Sequence, residues 1–293
     1  MALPQRVKIA EQIIHRLRWD ELDRSAIRRL FDLAHDESRR SAGGSHGESG
    51  AQHRTVEFEA VGDFVFCGAT LLPLVVSAFA IRGDVRVRAT DGAVVSAGTV
   101  IAVFTGPTVE LRAASQVAHA FLSRLSGIAT FAKRHADALG HGRTRLLDNS
   151  ATTPGWSTLE RFALACGGAW SGGGGSARIR IDVDSSDASR LKFAVRRARD
   201  ASPDVPVELI VRRQEDVEAA AMASPDLIRL ERFSVAAIRE AVARVGGRVF
   251  VEAHGGITLS NLAEHAGLGL DFVSVEGLVS DAAHAQIDRT WRD

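Results

Sequence analysis

Apolar residues recur at helical spacing near the start of the chain. Residues 4–35 carry them at every third or fourth position, with an interruption near Trp19 and Asp20. This period is typical of amphipathic helices, so two helices are predicted here. Residues 38–53 are polar and glycine-rich, without an apolar face to bury, and this composition predicts a flexible loop.

Alternation of apolar and polar residues begins at Thr55 and continues, with breaks, to Gly106. It predicts short strands from residue 55, at 85–88 and at 98–106, with a helix at 71–79 between them. The Asp91-Gly92 pair is typical of a tight turn. A small α/β sandwich is therefore expected over residues 1–113. Residues 107–137 are largely apolar and predict one long helix.

Strand-like and helix-like segments alternate after residue 143. Predicted strands cover residues 144–147, 178–183, 207–211, 227–230, 249–252 and 272–275. Predicted helices cover residues 158–166, 188–201, 214–223, 234–245 and 259–266. Repeated strand–helix units form parallel sheets, so residues 114–293 are predicted to form a closed or nearly closed α/β barrel.

Polar side chains follow the predicted strands at their carboxyl ends. They are Asp148, Asp184, Arg212, Glu231, His254 and Glu276. In parallel α/β folds the carboxyl ends of the strands lie at one edge, where functional groups gather. This pattern positions a site and assigns it no reaction.

Composition narrows the classes of partner. The chain has 36 basic and 36 acidic residues, so no net charge favours nucleic acid or an anionic membrane. Cys67 and Cys166 show no metal-ligand spacing, and reduced thiols are favoured over a disulfide, as in a cytoplasmic protein. Charged residues interrupt the apolar positions near the N-terminus, which predicts neither a signal peptide nor a membrane span.

Three motifs carry a family resemblance: LSGIAT at residues 125–130, DNSATTPG at 148–155 and EAHGGI at 252–257. With these motifs in register, the chain resembles the quinolinate phosphoribosyltransferase family. The resemblance implies an α/β fold with an N-terminal open α/β sandwich and a C-terminal incomplete parallel α/β barrel, the type II phosphoribosyltransferase fold. It also implies a homodimer in which the partner's N-terminal domain completes each site.

The family transfers phosphoribose from phosphoribosyl pyrophosphate to the nitrogen of quinolinate, with loss of a carboxylate. Its basic residues have uncharged counterparts in this chain: Gln116, Ser150, Ala151, Gly172, Gly173 and Val183. Charged hydrogen bonds of this kind contribute roughly 1.5–3 kcal/mol each. Their combined loss predicts that quinolinate is not the substrate. The glycine-rich residues 171–176 are expected to be mobile.

The resemblance assigns candidate roles to the residues that remain. Four carboxylates are predicted to be catalytic, namely Asp148, Glu208, Glu231 and Glu252. Predicted substrate-binding residues are Gln116, Arg124, Asn149, Ser150 and Thr152. Predicted phosphate-binding residues are His254, Gly255, Gly256 and Gly277, next to a helix expected to begin near Thr258.

Cofactor and substrate are less constrained. In the family, carboxylates at the positions of Glu208 and Glu231 help to hold Mg²⁺ and ribose, but a further one is replaced by Ile210. The cofactor therefore stays unknown, Mg²⁺ remains an option, and no metal site is predicted. The expected partner is a small-molecule substrate, such as phosphoribosyl pyrophosphate or a nucleotide.

Two placements outside the motifs also bear on the site. Arg178 and Arg180 alternate on a predicted strand, and an edge or solvent-facing position is favoured for them over new positive charge in the site. Glu160 is expected to be a surface or interface charge.

Three functional hypotheses follow. The leading one is a diverged enzyme of this family acting on a less anionic heteroaromatic or nucleotide-like substrate, in specialised metabolism. The second is a catalytically inactive homologue that serves as a binding or regulatory subunit. The third is an enzyme of changed chemistry, such as decarboxylation or ring rearrangement without phosphoribose.

Overall fold

The structure, a computed structural model, describes residues 13–41, 52–171 and 178–292. Most of the first predicted helix lies outside these ranges. So do residues 42–51 of the predicted flexible loop and residues 172–176 of the glycine-rich stretch. The described part of residues 38–53 contains the end of a helix, through Ser41, and the start of a strand, at His53.

Seven α-helices and thirteen strands are assigned within the described residues. The helices are α1 Arg24–Ser41, α2 Leu72–Ala78, α3 Thr108–Leu139, α4 Ser157–Cys166, α5 Ala188–Ala201, α6 Val217–Met222 and α7 Val235–Val245. The first strands are β1 His53–Ala60, β2 Phe64–Val65, β3 Asp84–Val87, β4 Val94–Val95, β5 Val100–Pro107 and β6 Arg145–Asp148. The others are β7 Trp170–Ser171, β8 Ile179–Asp182, β9 Val207–Val211, β10 Leu227–Glu231, β11 Phe250–His254, β12 Phe272–Val275 and β13 Ile287–Arg292.

The chain divides into two compact units. The first comprises residues 1–16, 134–151 and 168–278, and the second comprises residues 17–133, 152–167 and 279–293. The predicted boundary between residues 113 and 114 falls within α3, whose residues belong partly to each unit. A division into two sequence-continuous domains stays a prediction.

A seven-stranded sheet organises the first unit. Its order is β7-β6-β12-β11-β10-β9-β8, and every neighbouring pair is parallel. In the described residues β7 and β8 each have one neighbour, so the sheet is open and the predicted incomplete barrel is confirmed. Ile13, Leu147 and Phe250 belong to its apolar core.

Local signals set the helices around this sheet. The Asp187 side chain accepts hydrogen bonds from two backbone N–H groups at the start of α5, and Ser234 does the same for one at the start of α7. Such N-caps satisfy donors that lack helical partners. Gly246 ends α7 with a φ of 57°, which glycine adopts without steric cost.

One predicted helix of the barrel is wrong. Residues 259–266 form no α-helix; the segment contains a short 3₁₀ helix, Leu262–His265. Gly267 and Gly269 both have positive φ, so the chain turns immediately after this segment. The helix expected to begin near Thr258 is therefore absent from the turn that follows β11.

A four-stranded antiparallel sheet organises the second unit. Its order is β13-β1-β5-β3, with a register shift in β1 between Phe58 and Glu59. The predicted strands are confirmed, whereas β13 was not predicted. Its apolar residues Ile287 and Trp291 are separated by Asp288, Arg289 and Thr290, so the segment lacks the regular alternation by which strands are recognised.

The long helix α3 confirms the prediction and explains the glycine of LSGIAT. A Cβ on Gly127 would lie 2.0 Å from the carbonyl oxygen of Ala283, so the backbone at Ala283 approaches the helix too closely for any side chain. Cys67 and Cys166 are free thiols. Burial, followed by a hydrogen bond that the Cys67 thiol makes to Cys166, raises the pKa of Cys67. Among the described helices, none is long and apolar enough to cross a membrane.

Candidate functional site

The carboxyl ends of the parallel strands bring several predicted site residues to one edge of the first unit. Asp148 ends β6, Glu231 ends β10 and His254 ends β11. The register pairs Val275 of β12 with Asp148, and Glu231 with His254. The edge predicted from the sequence is therefore present.

The turn after β6 holds three of the predicted residues. The Asp148 side chain is 9% exposed, and its Oδ1 accepts a hydrogen bond from the Ser150 N–H at 2.8 Å. Aspartate side chains commonly accept such a hydrogen bond from the backbone N–H two residues later, and the bond forms a local turn. Asn149 and Ser150 are half-buried, and the buried Ser150 Oγ has no hydrogen-bond partner among the described residues.

Two arginines and two glutamates form a buried cluster inside the barrel, here called the ion quartet: Arg178, Glu208, Arg229 and Glu252. Glu208 and Glu252 have no exposed surface. Arg178 Nη1 lies 3.3 Å from Glu208 Oε2 and 3.2 Å from Glu252 Oε2. Arg229 contacts the same two carboxylates, at 2.8 Å from Glu208 Oε1 and 3.1 Å from Glu252 Oε1. The quartet carries two charges of each sign and is therefore neutral.

The expectation for Arg178 was wrong. Its side chain is 2% exposed, whereas that of Arg180 is 49% exposed. The Arg178 Nη2 group also donates to the Ile13 carbonyl at 3.0 Å. Arg178 precedes β8, and β9 is buried along its whole length, so the guanidinium can be accommodated only next to carboxylates. Sequence reasoning also missed Arg229, a charged residue among apolar neighbours in LIRLE, whose position should have marked it as paired.

Hydrogen bonding within the quartet is incomplete. Arg178 Nε has no hydrogen-bond partner among the described residues. Arg229 Nε and Glu208 Oε1 are in ionic contact at 2.8 Å, yet neither makes a hydrogen bond of acceptable angle. Buried polar atoms in this state are uncommon and are found at strained or functional sites.

A hydrogen-bonded chain, here called the relay, leads from the quartet to the surface. Ser274 Oγ donates to Glu252 Oε1, and His254 Nδ1 lies 3.0 Å from the same Ser274 oxygen. His254 Nε2 lies 3.2 Å from Glu276 Oε1. The histidine side chain is 6% exposed and the Glu276 side chain 73% exposed, so the relay ends at solvent.

The turn after β11 contains the glycines predicted to bind phosphate. Gly255 and Gly256 have φ of 87° and 74°, and Gly277 after β12 has φ of 79°. A Cβ on Gly255 would lie 2.7 Å from the Arg232 Cγ and 3.1 Å from Glu231 Oε1. The turn is therefore formed as predicted, but it lacks the following helix, whose N-terminus was expected to contribute positive potential.

Arg232 has an unusual backbone conformation at this edge. Its φ is 57°, in the left-handed region that residues other than glycine, asparagine and aspartate seldom adopt. Its N–H donates to the His254 carbonyl at 2.7 Å, which holds the conformation in place. Strain of this kind often occurs at functional sites, where surrounding structure maintains it.

The remaining predicted residues belong to the second unit. Gln116 is exposed on α3 and Thr152 is half-buried. Arg124 donates to Glu160 Oε1 at 3.2 Å and to the carbonyl oxygens of Val279 and Ala282. Its substrate-binding role stays a prediction, because these bonds already give it a structural role.

Glu160 is not a surface charge, contrary to expectation. It has no exposed surface, and its carboxylate accepts from Arg124, from the Thr153 N–H at 2.7 Å and from the Thr153 hydroxyl at 2.9 Å. Arg124, Thr153 and Glu160 are called the clamp below. The clamp anchors the TTPG turn to α3 and α4.

Four of the positions predicted to have lost a basic side chain lie within the described residues. Gln116 is exposed, Ser150 is half-buried, Ala151 is exposed and Val183 is buried. Gly172 and Gly173 lie outside the described residues.

The two carboxylates of the quartet do not fit a divalent cation. Both Glu208 oxygens contact arginine nitrogens, and both Glu252 oxygens do the same. Mg²⁺ prefers carboxylates with free oxygens, and guanidinium groups occupy these. Within residues 13–41, 52–171 and 178–292, no group of three or more His, Cys, Asp or Glu side chains has metal-binding geometry.

Comparisons with known proteins agree with the fold and the motifs. The family model described as quinolinate phosphoribosyl transferase, C-terminal domain, matches residues 128–288. A probable nicotinate-nucleotide pyrophosphorylase (carboxylating) of Synechocystis is 30% identical over 197 residues, 65% of this chain and 67% of that protein. One from Bacillus subtilis is 27% identical over 229 residues, 77% of this chain and 79% of that protein.

Solved structures give the same result for the fold. The NadC structure from Streptococcus pyogenes is 25% identical with a TM-score of 0.84, over 93% of this chain and 99% of that one. The nicotinate-nucleotide pyrophosphorylase structure from Francisella tularensis has a TM-score of 0.85 at 21% identity, over 93% of this chain and 98% of that one. The family model covers more than half of the chain, and therefore this protein belongs to the quinolinate phosphoribosyl transferase family, a family of transferases.

Proposed function

We propose that this protein is a phosphoribosyltransferase whose acceptor is a heteroaromatic or nucleotide-like molecule less anionic than quinolinate. The observation that carries the proposal is the neutrality of the ion quartet. Arg178 and Arg229 are the buried cations of the barrel, and both are already matched by Glu208 and Glu252. The half-exposed Arg180, whose Nε lies 3.5 Å from Glu208 Oε2, adds one excess positive charge, fewer than the two that would match a dicarboxylate.

Energetics support this choice of substrate class. Taking a dianion out of water costs several kcal/mol per charge unless cations compensate it. Asn149 and Ser150 offer neutral hydrogen-bonding groups at the carboxyl end of β6. The buried Ser150 Oγ has no hydrogen-bond partner among the described residues and can therefore bond a substrate. Such groups match amide, amino or hydroxyl substituents better than carboxylates.

The four predicted catalytic carboxylates divide into two pairs. Asp148 and Glu231 lie at the ends of their strands, where they are placed to contact a ribose or to act as a base. Glu208 and Glu252 hold the quartet together, so their contribution to catalysis acts through the arginines and through Ser274. All four assignments stay predictions.

The donor and the assembly follow from family membership. The relatives are named for nicotinate nucleotide and pyrophosphate, which supports phosphoribosyl pyrophosphate as the second substrate. A homodimer in which the partner's N-terminal domain completes the site belongs to the same proposal. The equal numbers of acidic and basic residues argue against nucleic acid or membrane as partners.

The test is pyrophosphate release from phosphoribosyl pyrophosphate. The protein is incubated with a panel that includes quinolinate, nicotinate, nicotinamide, purines and hydroxypyridines, and Asp148→Asn is assayed beside it as the variant expected to be inactive. Release with a neutral or monoanionic acceptor, and none with quinolinate, is expected. Efficient turnover of quinolinate would overturn the proposal.

Failure of every acceptor would also overturn it and favour another hypothesis. An inactive binding subunit predicts co-purification with an active member of the family. Changed chemistry predicts consumption of a heteroaromatic acid without phosphoribosyl pyrophosphate. Each outcome is read from the same protein preparation.

A further inference from the structure

His254 occupies a position that sequence reasoning assigned to phosphate binding, yet both of its ring nitrogens have side-chain partners. Nδ1 lies 3.0 Å from Ser274 Oγ and Nε2 lies 3.2 Å from Glu276 Oε1. Ser274 is 1% exposed and His254 is 6% exposed. The ring is therefore fixed in orientation, with Nε2 toward the open side of the barrel edge.

The direction of each hydrogen bond follows from Glu252. This carboxylate forms ion pairs with Arg178 and Arg229. An ionised carboxylate only accepts, so the single hydrogen of Ser274 is donated to Glu252. The Ser274 oxygen must then accept from His254, and Nδ1 must carry a hydrogen.

This assignment has a consequence for the other ring nitrogen. A neutral imidazole with its hydrogen on Nδ1 presents a lone pair at Nε2. That lone pair would face the Glu276 carboxylate, which is also an acceptor. The contact at 3.2 Å is attractive only when a proton lies on Nε2, that is, when the ring is an imidazolium.

We propose that His254 is an acid–base catalytic residue of this site, with Nε2 as the atom that gives and takes the proton. Ser274 is a positioning residue, because it fixes the hydrogen on Nδ1. The inference rests on the proposed function, in that the barrel edge is where substrate binds. The ring nitrogen of the acceptor uses its lone pair to form the bond to C1′ of the phosphoribosyl group, and the C1′–O bond to pyrophosphate breaks with its electron pair on the departing oxygen. Nε2 gives its proton to that oxygen and keeps the electron pair, and Glu276 then loses its ion pair with the ring.

The charges around the ring fit this role. Glu276 follows β12 and is 73% exposed, so it can leave when the ring becomes neutral. From β10, Glu231 and Arg232 approach Gly255, the residue after His254. From β6, Asp148 lies beside Val275 in the register. A substrate in this turn therefore meets carboxylates, Arg232 and the Nε2–H donor together.

The first experiment measures the proton position directly. Histidine-labelled protein gives ring ¹⁵N signals, and His254→Asn identifies the His254 signal by its disappearance. The neutral ring of His254 is expected to carry its hydrogen on Nδ1. A neutral ring with its hydrogen on Nε2 contradicts the proposal, and this reading needs neither substrate nor turnover.

Variants separate positioning from folding. Ser274→Ala is expected to abolish the preference for Nδ1–H, whereas Ser274→Thr, which retains the hydroxyl, restores it. Ser260→Ala, at an exposed serine bonded to Thr258, is the control and leaves the spectrum unchanged. If the tautomer is unchanged in Ser274→Ala, Ser274 does not determine which ring nitrogen of His254 carries the hydrogen.

Steady-state kinetics test the catalytic role of His254, with phosphoribosyl pyrophosphate and any acceptor that releases pyrophosphate from it. His254→Asn is expected to lower kcat by about 10²–10⁴-fold with a smaller change in KM, the usual range for loss of acid–base catalysis. Wild-type kcat in this variant overturns the proposal. Failure of all acceptors counts against the proposed function instead, while the ring spectrum still decides where the proton lies.

Discussion

The ion quartet of the barrel unit and the clamp of the second unit both bury glutamates next to arginines, but they differ in how completely the charges are satisfied. In the clamp, Glu160 accepts from Arg124 and twice from Thr153, and Arg124 also reaches two carbonyl oxygens. In the quartet, Arg178 Nε and the Arg229 Nε–Glu208 Oε1 contact lack aligned hydrogen bonds.

The difference indicates two purposes for buried charge. A closed network such as the clamp fixes one arrangement of the chain, because each group already has its partners. The quartet is open at one end, since Glu252 continues through Ser274 to His254 and the exposed Glu276. An open network can couple a change of protonation at the edge to the buried charges, and this distinguishes a site from a structural anchor.

The largest expected effect comes from removing one cation of the quartet. Arg229→Met leaves two buried carboxylates with a single buried arginine, and loss of one partner from a buried ion pair costs about 3–5 kcal/mol. The free energy of unfolding, measured by denaturant titration, should fall by that amount. Arg180→Met is the matched control, because its side chain is 49% exposed and its contact with Glu208 is 3.5 Å long.

The control is expected to change stability by less than about 1 kcal/mol, as for exposed ion pairs. The double substitution Arg229→Met with Glu252→Gln removes one charge of each sign and should be more stable than Arg229→Met alone. Equal losses for Arg229→Met and Arg180→Met would show that burial does not set the energy of the quartet.

A smaller loss is expected in the clamp. Thr153→Val removes the hydroxyl that donates to Glu160 Oε1 and retains the N–H donor, so one charged hydrogen bond is lost, at about 1.5 kcal/mol. Denaturant titration measures it, with Thr152→Val as the neighbouring control. If Thr153→Val changed the His254 ring signal as strongly as Ser274→Ala does, the distinction between closed and open networks would fail.

The smallest effect concerns Asp216, another carboxylate without exposed surface, whose partner Arg213 is 52% exposed. Burial acts to raise the pKa of Asp216, but hydrogen bonds from Arg213 and Ser186 outweigh it and hold the pKa below the usual 3.8. Stability from this group is therefore present above about pH 4 and is lost as the pH falls through the lowered value.

Asp216→Asn is expected to unfold more easily than wild type near neutral pH, with a difference that shrinks below about pH 4. Unfolding free energies across this range give the measurement. A difference that persists unchanged into strong acid would mean that the carboxylate charge is not what Arg213 and Ser186 stabilise.

The sequence predicted the barrel well because its strands are short apolar runs between amphipathic helices. It failed for residues 259–266, where helical periodicity competes with Gly267 and Gly269 just beyond. It missed β13, since pairing with β1 joins residues more than 200 positions apart and leaves little local trace. For the site, it placed Asp148, Glu231 and His254 at one edge, because parallel strands share their carboxyl ends.

The sequence by itself determined the family and the fold class, since motifs and hydrophobic period are local properties of the chain. Tertiary structure alone decided how the charged side chains of the site are paired. Whether Arg178 and Arg229 neutralise Glu208 and Glu252, and whether Ser274 directs the proton of His254, depends on atoms brought within hydrogen-bonding distance by neighbouring strands. Spacing along the chain does not encode that distance.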